Sequence, residues 1–215
     1  MRTRRLTIVS LIGALLWSGM GWAQQPKYGG TLHIAMPGDM TFFNAHQGPA
    51  PGVNTFWVSN NIFNSLLGMT PPPELKIIPE LAKSWEVLDE GRTYIFHLEE
   101  GVRFHDGTDF DAHAAKWNFD RILDQEVNSW VRTYYEDVAE VAVVDTHTLR
   151  VDMKAPSAVL PIALTAYFQG IPMASPKAFE TYGKDWVRHP TGTGPYKLKE
   201  WTPGQRIVLE KNAGY

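Results

Sequence analysis

His105, Asp106, Asp109, Asp111 and His113 crowd imidazole and carboxylate groups into one short stretch. These are ligand types for zinc and calcium, which need several of them converging on one point. A site there would make the chain a secreted metal-dependent hydrolase. Local chemistry explains the same residues without an ion. His105-Asp106-Gly107 suits a turn, Asp111 suits a helix N-cap, and His113 then falls in the first helical turn. No metal is expected. Gly192-Thr193-Gly194 is glycine-rich, but a phosphate loop needs a following Lys-Ser/Thr and a helix. Here the alternating run Tyr196 to Trp201 follows instead. Neither Gly-x-Ser-x-Gly nor His-Glu-x-x-His occurs. With no cysteine, thiol nucleophiles, thiolate ligands and disulfides are excluded. No catalytic centre and no cofactor are expected.

Binding residues are better sought where aromatic and polar side chains share a loop, the usual lining of a ligand cleft. Three stretches qualify: Phe43, Asn44 and His46; Trp130; and Phe168 with Gln169. Buried packing is the commoner fate of an aromatic residue, so each has a core reading beside the ligand reading.

The elements that must carry these residues alternate between helix and strand. Thr31 to Met36 alternates and predicts a first strand, followed by a loop rich in Pro, Gly and Asn up to Asn54. Phe56-Trp57, Ile62-Phe63 and Leu66-Leu67 fall near helical spacing and predict a helix stopping at Gly68. Ser84–Leu88 and Thr93–Leu98 flank a turn at Asp89-Glu90-Gly91-Arg92. Asp111 opens a helix through Leu123, and Val138–Val144 pairs with Leu149–Met153. Ala158–Ala166 predicts a short apolar helix and Ile171–Ala174 a short strand. Ser175-Pro176 starts a helix that Gly183 closes. Thr202-Pro203-Gly204-Gln205 turns one last hairpin.

The first residues predict a secretory signal. Arg2, Arg4 and Arg5 precede the apolar run Leu6–Trp17, and Gly21-Trp22-Ala23 offers a cleavage site before Gln24. The run is short against the roughly 20 residues a membrane span needs. Without cysteine there is no lipid anchor, so a free periplasmic product is expected. Loss of the three arginines takes the net charge from −3 to −6, with 17 basic against 23 acidic residues. That balance argues against nucleic acid.

Two long motifs resemble one family. Leu81-Ala82-Lys83-Ser84-Trp85 through Gly91-Arg92-Thr93-Tyr94-Ile95-Phe96-His97-Leu98 and Gly101-Val102-Arg103-Phe104-His105-Asp106-Gly107 form the first. Gly192-Thr193-Gly194-Pro195-Tyr196-Lys197-Leu198 through Trp201 and Gly204 form the second. Both are similar to signatures of family 5 extracellular solute-binding proteins, the peptide-, nickel- and sugar-capturing receptors of ABC importers. The resemblance runs from Gly29 to Tyr215. It departs at Glu99-Glu100, where a basic residue is usual, and at Asn44-Ala45, where the family often has Asp-Pro.

The resemblance implies an α/β (α+β) fold: a periplasmic-binding-protein-like lobe carrying an inserted β-rich subdomain. Residues 24–55 and 167–215 would form the lobe, 56–166 the insertion, and 1–23 the signal. It also implies a chain continuing beyond Tyr215 into a second lobe, so that this chain holds half a site at most. Function would be capture of a peptide or related small solute for a membrane permease and its ATPase. The loop at Phe43, Asn44 and His46, the aromatic Trp130, and Phe168-Gln169 would line the cleft.

Overall fold

The computed structural model describes residues 29–40, 43, 46, 53–166 and 170–215. It divides into two units, residues 1–35 and 36–215. Of the first, residues 29–35 are described; they are exposed and carry no regular element. The strand expected at Thr31–Met36 is therefore not formed. Alternation makes a two-faced segment, but a strand also needs a neighbour's backbone groups, and no ladder reaches these residues.

The second unit opens with α1 (Val53–Ile62). This helix ends before the predicted stop at Gly68, because the next backbone groups bond elsewhere. Leu67 N–H reaches Leu164 O at 3.4 Å, and Ala82 N–H reaches Leu66 O at 2.8 Å. Leu67–Met69 becomes β1, paired antiparallel with β2 (Ile77–Pro79).

A four-stranded antiparallel sheet follows, in the order β3-β4-β6-β5. Its strands are β3 (Ala82–Leu88), β4 (Thr93–Leu98), β5 (Val138–Asp145) and β6 (Thr148–Met153). The expected turn between β3 and β4 holds Asp89, Glu90 and Gly91 at φ of 49°, 57° and 92°. Tyr94, Phe96 and Leu98 face inward, and Tyr94 lies opposite Val151 and Phe96 opposite Leu149. Such facing apolar pairs are the unit of sheet stability.

α2 (Ala112–Leu123) lies on this sheet. Asp111 caps it as expected, its carboxylate accepting from Ala114 N–H at 2.8 Å. Ala112, Ala115, Phe119 and Ile122 recur at helical spacing and are buried. Burying each of the large ones stabilises by about 1.5–3 kcal/mol. The apolar stretch 158–166 is helical only as α3 (Leu160–Ala163).

Ile171–Ala174 was expected as a strand. It is buried backbone bonded outside any ladder: Met173 N–H reaches Asn64 O at 2.9 Å, and Ala174 N–H reaches the Asn118 side chain at 2.8 Å. α4 (Pro176–Tyr182) starts at its Ser175 cap and ends at Gly183, as the sequence predicts. β7 (Tyr196–Thr202) and β8 (Arg206–Lys211) form the last hairpin.

Two hydrophobic clusters result. The larger gathers the four-stranded sheet, α2 and α3. The smaller gathers Met40, Phe43, Val58, Ile62, Phe63, Ala174 and Trp186, with β7 and β8 packed against it through Leu198, Trp201, Ile207 and Leu209.

Candidate functional site

His105, Asp106, Asp109 and Asp111 are each engaged by protein groups. Asp106 accepts from Thr108 N–H at 3.0 Å and from Ser175 Oγ at 2.5 Å. Asp109 pairs with Arg103 at 3.1 Å, and Asp111 is the α2 cap. His105 Nε2 lies 3.0 Å from Gly194 O. Burial holds the His105 imidazole below its usual pKa, reinforced by Lys197. Among the described residues, no group of three His, Cys, Asp or Glu side chains is placed to hold a metal.

The turn at His105 instead joins the two sequence motifs. His105 N–H donates to Gly192 O at 2.9 Å, and Gly194 N–H donates to Ile62 O at 2.8 Å. Thr193 Oγ1 donates to Asn64 Oδ1 at 2.9 Å, and Asn64 in turn donates to Glu80 at 2.7 Å. A Cβ at Gly192 would stand 2.2 Å from Ile62 O, and one at Gly194 2.6 Å. The glycines are required by close backbone approach, so the Gly192–Gly194 turn is a structural joint and not an anion cradle.

The residues singled out for binding separate into two groups. Phe43 belongs to the smaller cluster, and His46 packs against that cluster's Trp186. Phe43 is buried, meets Trp201 edge-on at 5.1 Å, and donates its N–H to Val187 O at 2.9 Å. His46 is buried between Trp117 and Trp186, with ring centroids at 6.0 and 5.5 Å, and its Nε2 lies 3.0 Å from Pro172 O. Trp130 stands apart from them, partly buried against the larger cluster and edge-on to Phe56 of α1 at 5.9 Å. Left-handed Asn128, at φ 50°, turns the chain just ahead of it. Asn44, Phe168 and Gln169 lie outside the described residues.

Sequence reasoning missed three participants. Phe56 backs Trp130, and Arg121 lies over Phe179 at 4.0 Å and Trp186 at 5.2 Å. Glu80 is the third. Burial raises its pKa, while bonds from Asn64 and Ser65 N–H oppose the rise. It lines a surface cavity of about 260 Å³ with Asn64, Glu100, Arg103, Thr193 and Tyr215. Helical spacing puts Arg121 one turn beyond Trp117 and could have flagged it. Nothing local marks Phe56 or Glu80, whose partners are distant in sequence.

Comparison with known proteins decides the family. The profile of bacterial extracellular solute-binding proteins, family 5 middle, matches residues 76–215. The chain belongs to this family. Family 5 proteins bind solutes and are not enzymes. Glutathione-binding protein GsiB of Escherichia coli O157:H7 is 37% identical over 158 residues, which cover 74% of this chain and 30% of GsiB. Among solved structures, MoaA of A. tumefaciens R10, in complex with mannopinic acid, superposes with a TM-score of 0.75 at 27% identity. The match covers 82% of this chain and 36% of MoaA. NikA of Brucella suis, in complex with Fe(III)-EDTA, gives a TM-score of 0.73 at 28% identity, over 84% of this chain and 35% of NikA. The described architecture is thus part of a family 5 fold, and the chain spans about 30% of the length of the GsiB relatives it matches.

Proposed function

We propose that this chain is solute-capturing sequence of an ABC importer, binding a peptide or related small solute for a membrane permease and its ATPase. The family match over residues 76–215 carries this reading. GsiB's glutathione supports a short peptide or peptide-like solute. Export to the periplasm with cleavage after Ala23 belongs to the same proposal; among the described residues no helix is long and apolar enough to cross a membrane.

Within this reading Trp130 touches the solute. It is partly exposed and is held from behind by Phe56. Phe43, Asn44, His46, Phe168 and Gln169 belong to the same proposal as further solute-binding residues, of which Phe43 and His46 are buried. A division into an inserted subdomain, residues 56–166, and a lobe formed by 24–55 and 167–215 belongs to the same proposal, although Ile171 and Met173 pack in the larger cluster and Val58, Ile62 and Phe63 in the smaller. Solute would be enclosed by closure against a second lobe, so the 215-residue chain should bind weakly.

Titration calorimetry of a full-length relative carrying this chain's residues 24–215, with glutathione and short peptides, tests the assignment. Trp130→Ala should weaken binding by about 1–3 kcal/mol, the range for truncating an aromatic anchor, with a smaller change in folding stability. Unchanged affinity would return Trp130 to a packing role. Sub-micromolar binding by the 215-residue chain alone would overturn the two-lobe argument.

A further inference from the structure

The cavity of about 260 Å³ beside Glu80 has neither Trp130 nor Phe56 on its lining. Glu80 Oε1 accepts from Asn64 Nδ2 at 2.7 Å, and Oε2 accepts from Ser65 N–H at 3.0 Å. Both donors are neutral amides. Arg103, the cation on the lining, is turned to Asp109 at 3.1 Å, and Lys83 is taken by Glu100 at 3.0 Å. Both Arg103 and Glu100 are exposed, with side chains 70% and 69% accessible. Among the described residues, no cation pairs with Glu80.

A carboxylate offers about four lone-pair sites, and the two amides take one on each oxygen. A carboxylate drawn out of water is costly unless a charge faces it. Burial accordingly raises the Glu80 pKa, and the amide bonds only oppose that rise. The carboxylate is also held in place. Buried Asn64 cannot turn away from it, because its Oδ1 accepts from Thr193 Oγ1 at 2.9 Å. Position 100 adds to the charge. The sequence departs from its family at Glu99-Glu100, with acid where a basic residue is usual. Glu100 thereby gives the lining a second carboxylate against the one guanidinium of Arg103.

We propose that this cavity is a second binding site, for a small organic cation, an alkylammonium or alkylguanidinium compound whose charge pairs with Glu80. The size agrees. Pockets for drug-sized ligands hold about 300–1,000 Å³, and this one falls just below that range, which suits a smaller compound. Ammonium and guanidinium groups carry N–H donors and no acceptor, so they match the open lone pairs of Glu80. The alkyl stem would lie against Leu81 and Val102, the apolar side chains of the lining. An anion would meet Glu80 and Glu100, and a neutral amide would leave Glu80 without a counter-charge. The site rests on this cavity and goes beyond the reading of Trp130 as a solute contact.

Butylguanidinium chloride and its neutral counterpart butylurea, titrated into the intact 215-residue chain at neutral pH, test the site by amide NMR, with matched sodium chloride as the blank. The Ser65 amide reports directly, because it donates to Glu80. Butylguanidinium should shift it saturably, with a Kd in the millimolar range expected of so small a ligand. Butylurea, of the same shape without the charge, should bind about tenfold more weakly or less. Glu80→Gln keeps the size and one acceptor and removes the charge, so it should weaken butylguanidinium by about the same factor. A Ser65 amide that does not move in the natural chain would overturn the proposal. So would equal binding of the two probes, or unchanged butylguanidinium affinity in Glu80→Gln. The first two outcomes are read on the natural chain, so the test survives a poorly folding variant. Failure of the solute-binding reading at Trp130 would leave every one of these titrations untouched.

Discussion

Gly192 has no room for a side chain. Its hypothetical Cβ meets Ile62 O at 2.2 Å, and the obstacle is backbone at the end of α1, not a flexible side chain. Overpacking usually destabilises by about 1–3 kcal/mol, and Gly192→Ala should reach the upper end, read as a lower urea midpoint at constant slope. Asp111 sets a milder comparison. Its carboxylate satisfies one N–H at the start of α2, so Asp111→Ala should destabilise by about 1 kcal/mol and Asp111→Asn by less. The same unfolding experiment distinguishes them. Metal content should remain at background in Asp111→Ala and in a His105/His113 double alanine variant, because Asp106, Asp109 and Asp111 are already committed to Ser175, Arg103 and Ala114.

Between elements, Asn118 couples α2 to the segment at 171–174. It is fully buried, donates to Ala114 O at 2.8 Å and to Ala174 O at 3.0 Å, and accepts from Ala174 N–H at 2.8 Å. This one amide replaces the ladder that a strand there would have had. Asn118→Leu is close in volume but leaves both Ala174 groups buried without partners. At about 1–3 kcal/mol for each unsatisfied group, the loss should be about 2–6 kcal/mol. Asn118→Asp, which keeps the acceptor and loses the donors, should separate the two contributions when thermal unfolding is compared at neutral pH.

For the molecule as a whole, acid stability follows from its buried histidines. His46 is held down to about 3 and His105 is lowered too, both chiefly by burial. Below about 6.5 the unfolded chain binds protons that the folded chain refuses, so stability is fully present above that pH and declines as pH falls. The slope expected from His46 is about 1.4 kcal/mol per pH unit. Asp106, with its pKa lowered by bonds from Ser175 and Thr108 despite the opposing effect of burial, adds its own loss only below the ordinary carboxylate range. Glu80 works the other way. Its raised pKa adds stability on acidification just above that range. Urea unfolding at pH 7.5, 6.0 and 5.0 should therefore show a falling midpoint, and His46→Gln should flatten most of it.

Local chemistry alone determined the turn and cap at 105–111, the Ser175-Pro176 helix start, the two β-hairpins of the larger sheet and the final hairpin. In each, the deciding contacts lie within a few residues, so residue type and spacing suffice. The two motifs also carried the family. Tertiary structure decided the rest, through bonds between distant residues. Leu66 and Leu67 leave the helix because Ala82 and Leu164 take their backbone groups. Residues 171–174 are buried without a strand because Asn64 and Asn118 satisfy them. Thr31–Met36 alternates like a strand but has no ladder. Phe43, His46 and Trp130 look alike in sequence, as aromatic groups on loops. Only the packing of Trp117, Trp186 and Trp201 around the first two, and of Phe56 against the third, separates two buried rings from a half-buried one. A residue's own type fixes what it can do, and its distant neighbours fix whether water, solute or core surrounds it.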